Sequence, residues 1–321
     1  MRGVVRFLGL AALLMLAGSA SAQNYPDKTV RVIVGFSPGG PTDVIARIVS
    51  QKLSDALAQQ FYVENVAGAG GNIASGMVAK AAPDGYTLLV ISTGFLVNPS
   101  LYAKVPYDAV KDFAPITLIA ASPNVLSVNP SVPANTVREL IDLIKSNPGK
   151  YSYAGPGIGS TPHLSAELFR IRFGLDLAHV PFGGAAPAIG AVIAGHVPIV
   201  FSALPPAIGA IKDGQLRALA VTAARRVDAL PNVPTMAEAG VPEQEADTLT
   251  GILAPAGTPA AIVAKLNAEI KKAVEGADVR EKLTVLGFVP VLNTPDQFAA
   301  RIEQEMTKWG KVVRDANIKI E

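Results

Sequence analysis

Again and again along this chain an apolar run breaks on a turn of glycine, proline, serine and alanine, then resumes as a helix. The first instance runs from Val30 to Phe36, breaks on Ser37-Pro38-Gly39-Gly40-Pro41, and continues with Ile45, Ile48, Val49, Leu53 and Leu57 at helical spacing. Pro41 suits the first helical position, where its missing N–H would be unpaired, and Asp43 in the first turn faces the positive end of the helix dipole. A tight, well-capped βα connection accounts for one such turn. A helix start stripped of side chains also leaves backbone N–H groups free to meet an anion, so repetition is what gives the pattern weight.

The repetition is there. A strand over 61–65 leads to Gly68, Gly70 and Gly71 before a helix that Asn72 is expected to cap, and a strand over 86–91 ends in Ser92-Thr93-Gly94. A strand over 151–154 opens onto Gly155, Gly157 and Gly159, with Ser160 and Thr161 as caps and Pro162 at the first helical position. Another strand reaches Phe182 and turns through Gly183-Gly184-Ala185 into a helix over 186–194, and a strand over 197–201 ends at Ser202. Strands alternating with helices predict an α/β protein with parallel or mixed sheets, whose ligands bind at the carboxyl ends of the strands. Apolar stretches flanking 120–123 and a return connection near 223–230 divide the chain into two domains, 23–121 plus 228–321 and 122–227. Two late helices, each opened by Thr-Pro, are expected to pack back on the first.

Residues 1–22 carry Arg2 and Arg6, an apolar run from Phe7 to Ala17, and small residues up to Ala22. This pattern predicts a secretory signal peptide cleaved after Ala22, and hence a periplasmic protein. Cleavage removes two arginines and no acids, so Lys+Arg falls from 28 to 26 against 26 Asp+Glu. Arg225-Arg226 and Lys271-Lys272 are isolated pairs that read as solvated surface, so nucleic acid is not an expected partner. Cysteine is absent, which excludes disulfides and thiolate chemistry.

The motifs of catalysis and cofactor binding are missing. Neither "GAGGNIASG" nor "GPGIGS" satisfies G-x-G-x-x-G, there is no G-x-x-x-x-G-K-[ST], and no strand-end turn carries a lysine to neutralise phosphate. His163, His179 and His196 are too dispersed for a metal site, and neither metal nor cofactor is expected. His163 reads as a neighbour of the pocket. Ser160 beside it would be the nucleophile of a hydrolase, but the G-x-S-x-G elbow is absent, and a helix cap accounts for more of what Ser160 is. Asp43 and Glu167 likewise fit as charges on their helices. The remaining strand exits, rich in backbone donors and bare of catalytic groups, suit holding a small carboxylate without transforming it.

The motifs "VRVIVGFSPGGPTDVIAR", "VENVAGAGGNIASGMVAKAAPDGYTLL", "YSYAGPGIGSTPHLSAELF", "HVPFGGAAPAI", "LPNVPTMAEAG" and "APAGTPAAIVAKLN" occur in this order. Over essentially the whole mature chain the sequence resembles the substrate-binding proteins of tripartite tricarboxylate transporters, the Bug or TctC-like family. The resemblance implies a monomeric, two-domain Venus-flytrap protein with ligand in the cleft. It would be no enzyme, and would deliver its ligand to one large and one small membrane subunit. Family ligands are citrate and other di- or tricarboxylates, acidic amino acids and some aromatic acids. Carried onto this chain, the resemblance assigns Phe36, Pro38, Gly39, Gly40, Asp43, Gly70, Gly71, Ser92 and Thr93 to the first half of the site. It assigns Gly157, Gly159, Ser160, Thr161, His163, Phe182, Gly183, Gly184, Ala185 and Ser202 to the second, with a carboxylate held through backbone groups and ordered water. Three positions depart from the pattern: "VPFGG" stands where many members read V-P-Y-K-G, Pro198 where an Asp is common, and Leu249 near a frequent Trp. The lost lysine leads us to expect mono- or dicarboxylates rather than tricarboxylates. A periplasmic hydrolase and a ligand-loaded adaptor for a membrane sensor kinase are the alternative functions.

Overall fold

The structure, a computed structural model, describes residues 25–315, 317 and 318, so the signal peptide expected over 1–22 lies outside the described residues. The segment Val30–Val34, β-branched at every position but Arg31, forms β1. It pairs in parallel with β2 (Phe61–Asn65) on one side and β3 (Thr87–Ser92) on the other. β4 (Phe113–Ser122), β10 (Thr248–Pro255) and β11 (Val289–Pro290) complete the first sheet in the order β11-β4-β10-β3-β1-β2, and β10 runs antiparallel to both neighbours.

The second sheet has the order β7-β6-β8-β5-β9. Its strands are β5 (Asn124–Val128), β6 (Tyr151–Pro156), β7 (Leu177–Phe182), β8 (Ile199–Ala203) and β9 (Arg217–Val221). β6 lies parallel to β7 and β8, and β5 runs antiparallel to β8 and β9. Both sheets are thus mixed and built alike: a parallel triplet, then antiparallel crossing strands.

Helices cover both faces of each sheet. On the first, α1 (Pro41–Leu57) and α8 (Ala260–Glu275) bury Ile45, Val49, Leu53, Leu266 and Ile270 against Val32 and Val90. On its other face α2 (Asn72–Val78), α3 (Thr93–Leu101) and α10 (Pro295–Asp315) pack around Ile33, Phe95 and Phe298. On the second, α4 (Val137–Lys145) and α5 (Thr161–Phe173) meet Tyr153 and Phe201, while α6 (Ala185–Ile193) and α7 (Leu204–Lys212) meet Ala154 and Val200. α9 (Ala277–Val285) precedes β11.

One strand is new and one cap moves. β10 is not foreseen from the sequence, yet it is buried along most of its length inside the first sheet, between β3 and β4. Asn72 does not cap α2: Gly71 is the N-cap residue, and Asn72 instead accepts from Asn98 Nδ2 at 2.7 Å. The chain crosses from β4 into β5 at Pro123, and beyond 228 Thr235 bridges to Val221 while Met236 and Val241 pack in the second sheet's core.

One apolar cluster joins the two halves. Val97 and Leu101 of α3, Leu164 of α5, Ala246 and Trp309, Val312 and Val313 of α10 are all buried there. Trp309 is wholly buried, and its indole N–H donates to Glu305 Oε2 at 2.7 Å. α10 begins with a reciprocal cap: Thr294 N–H donates to Gln297 Oε1 and Gln297 N–H to Thr294 Oγ1.

Candidate functional site

β1 is flanked by β2 and β3, and β6 by β7 and β8, so the turns that leave β1 and β6 sit where strand order reverses. Such switch points leave a crevice at the carboxyl ends of the strands. At both, the helix start is bare. Gly40 is the N-cap of α1 and Ser160 that of α5, both with extended backbone and neither making a side-chain cap bond. Ser160 is therefore at the expected cap position without acting as the expected cap.

What shapes these turns is a matched pair of clamps. Gly39, at φ +85°, donates its N–H to Asp43 Oδ2 at 2.9 Å. Gly159, at φ +82°, donates its N–H to His163 Nδ1 at 3.3 Å. In each case a left-handed residue just before the N-cap is tied to the third helical side chain, a conformation glycine adopts without steric cost. Asp43 Oδ2 also accepts from Arg47 Nε at 2.9 Å, and Asn65 Nδ2 reaches both Asp43 Oδ1 and the Phe36 carbonyl. Burial opposes ionisation of Asp43, but the bonds from Arg47, the Gly39 N–H and Asn65 outweigh it and hold the carboxyl below the usual range. Asp43 is 2 % exposed and His163 4 %. Both side chains are buried, with these atoms committed to the turn.

His163 makes its clamp as a neutral ring. Its burial, and the neighbouring His179 ring 4.5 Å away, push its pKa down to about 4. A folded value below the unfolded one means that the unfolded chain takes the proton first, so this stability is complete above about pH 6.5 and is lost as the pH falls towards 4. His163→Asn offers an acceptor near the same place without titrating. Its loss of stability between pH 7 and 4.5 is expected to be smaller than wild type's by about 1–3 kcal/mol, measured by urea unfolding at each pH. Equal losses would show that the ring does not control the turn.

The other predicted residues group around these clamps. In the first half, the Phe36 ring lies over Gly71 and beside Gly94, Asn98 Nδ2 donates to the Gly70 carbonyl at 2.9 Å, and Ser92 caps α3 by accepting from Gly94 N–H. Phe36, Gly70, Gly71 and Ser92 thus line one small recess with Gly35 and Phe95. Thr93 is fully buried, and its hydroxyl accepts from Leu249 N–H at 2.8 Å and donates to the Asp247 carbonyl. It fastens α3 to β10 and presents no side-chain group to a cleft. Pro38 stands exposed in the first turn.

In the second half, Pro156 lies opposite Phe182 in register, which sets the 157–159 turn beside Gly183, Gly184 and Ala185. Gly184 is the N-cap of α6, and open space surrounds the positions where side chains would project at Gly157 and Gly183. Thr161 begins α5 and is buried. Ser160 Oγ and Ser202 Oγ are buried without a hydrogen-bond partner among the described residues. With His163 Nδ1 engaged by Gly159, the Ser160–His163 pair of a hydrolase is not formed.

The sequence reading missed a polar seam where the chain crosses between the sheets. Asn124 N–H donates to Thr222 Oγ1 at 2.9 Å, Asn124 Nδ2 donates to the Ala246 carbonyl, and the Thr222 hydroxyl approaches Asp247 Oδ1 at 3.4 Å. Burial raises the Asp247 pKa to about 7. Thr250 Oγ1, opposite Ser92 in register, and Asn124 Oδ1 are buried without partners among the described residues. Only the small hydroxyl residues at strand ends could have signalled this seam, and half of them lie on or beside the strand that was not recognised. Among the described residues there is no cluster of three or more His, Cys, Asp or Glu placed to hold a metal, and no helix long and apolar enough to cross a membrane.

Residues 45–318 match the model of the tripartite tricarboxylate transporter family receptor, TctC. The chain belongs to this family. As a TctC-type receptor it is 38 % identical over 307 residues to protein BugT of Bordetella pertussis, covering 95 % of this chain and 94 % of that one. A protein of R. palustris solved with adipate is 36 % identical to the receptor, with a TM-score of 0.86 over 92 % of this chain and 100 % of that one. MatC of Rhodopseudomonas palustris, solved with bound malate, is also 36 % identical, with a TM-score of 0.81 over 90 % of this chain and 100 % of that one. The two-sheet architecture of the receptor is that of these solute-binding proteins.

Proposed function

We propose that the protein is a periplasmic solute-binding receptor that captures a small dicarboxylate or monocarboxylate between the turns after β1 and β6. It would release the ligand unchanged to the large and small membrane subunits of its transporter. The observation that carries this reading is the pair of clamped, bare helix starts, one in each half. Each presents fixed backbone N–H groups and the positive end of a helix to the space at the strand ends. The unpartnered hydroxyls of Ser160 and Ser202 offer further donors, directly or through water. Relatives of this fold hold adipate and malate, both dicarboxylates.

The turns at 36–43 and 156–163 carry no lysine or arginine, and Arg47, in the second turn of α1, is bound by Asp43 and Asn65. A third carboxylate would have to leave water for dipoles alone, and an uncompensated buried charge is costly. Dicarboxylates of four to six carbons are therefore expected to bind about tenfold or more tightly than citrate, a difference of roughly 1.4 kcal/mol. Competition calorimetry at fixed pH and ionic strength measures this. Citrate displacing every simpler acid would overturn the preference, and a folded protein that binds no carboxylate at all would overturn the function. Mass spectrometry of ligand recovered after long incubation tests release unchanged; product in excess of protein would mark an enzyme.

A further inference from the structure

The two sheets leave a second opening at their other ends. β9 and β11 are the edge strands farthest from β7 and β2, and β4, β10 and β3 separate β11 from β1, as β5 and β8 separate β9 from β6. Beside these edges lies a cleft of about 290 Å³, close to the lower bound of small-molecule sites, roughly 300 Å³. One wall is the segment after β9, with Arg225, Arg226 and Asp228; the other is α9 and β11, with Arg280 and Thr284.

Three arginines and one aspartate thus line the same cleft. Arg226 is held in place by Glu238 Oε2 at 2.8 Å and by the Pro231 carbonyl. Neither Arg225 nor Arg280 takes part in an ion pair among the described residues. Arg225-Arg226 reads from sequence as solvated surface, but folding brings Arg280, 54 residues later, to the same cleft. Guanidinium forks match the oxygens of phosphate and carboxylate in geometry as well as charge, and Thr284 adds a hydroxyl.

We propose that this cleft is a second anion site, for a small dianionic oxyanion of the phosphate type, separate from the solute site. Its two walls belong to different sheets, so an occupant holds the two halves in one relative setting. By linkage, oxyanion and solute must then change each other's affinity by the same factor.

Inorganic phosphate titrated calorimetrically at low ionic strength is the test, on wild type, on Arg225→Gln/Arg280→Gln and on Gly40→Val. Phosphate is expected to bind wild type with Kd below about 1 mM. Gly40→Val should bind it equally, and the double variant about tenfold or more weakly. The unfolding midpoints without phosphate should coincide for wild type and the double variant, since neither arginine is paired. No binding to wild type, or equal binding to the double variant, overturns the proposal. Loss in Gly40→Val would assign the phosphate to the glycine turns and overturn it equally, whereas failure of the carboxylate reading alone would leave these phosphate results unchanged.

Discussion

Gly40→Val is expected to fold normally and to bind carboxylate a hundredfold or more weakly, a loss of about 2.7 kcal/mol. Gly40 has φ −76° and ψ 168°, an extended conformation that a β-branched residue adopts readily. A side chain there would find only the Ser37 carbonyl, 3.9 Å from its first carbon. The native fold therefore has room for valine, and the room it fills is the space in front of the α1 N–H groups. Gly39 is the less informative target, because its φ of +85° would strain any replacement. Circular dichroism and thermal unfolding check the fold, and calorimetry with the best dicarboxylate checks binding. Unchanged affinity in a folded variant would return the turn to a purely structural role.

Trp309→Ala is expected to cost about 3–5 kcal/mol of stability, the range for emptying an aromatic site in a packed core. The ring is fully buried among Val97, Leu101 and Leu164, so its loss opens a cavity between α3, α5 and α10 at once. Glu305 loses the indole donor but keeps Arg301, at 2.7 Å. Because Leu164 follows His163 directly, the cavity also loosens the first turn of α5, and solute affinity should fall with stability. Trp309→Phe, which keeps most of the volume but not the N–H, should recover the larger part of both. Chemical denaturation and calorimetry on the two variants decide it; alanine and phenylalanine behaving alike would show that the hydrogen bond, not the packing, matters.

How legible all this is depends on the range over which each feature is encoded. The turns after β1 and β6 can be read because proline, glycine and helical periodicity act within a few residues. The clamps inside them are only four residues long and still illegible, since sequence cannot tell a side chain folded back onto its own turn, as those of Asp43 and His163 are, from one pointing outward. Glu167 shows the same limit: rather than serving its helix end, it accepts from Tyr153 at 3.0 Å and from Arg170. β10 was invisible because its strand character comes from two partners, β3 and β4, more than 120 residues away. The polar seam at Asn124, Thr222 and Asp247 depends on that strand and was lost with it. Its hydrogen bonds span 98 residues between Asn124 and Thr222.

Trp309 is the only tryptophan in the sequence. It lies in the one described apolar cluster that contains helices from both halves of the molecule. The protein therefore carries a native fluorophore at its own joint. Any change in how α5 rests against α3 and α10 alters the surroundings of a single emitter, with no tyrosine-free background or extrinsic dye needed to isolate it under selective excitation. Stopped-flow emission would report, in unlabelled protein, whether adding a carboxylate changes that contact and how fast.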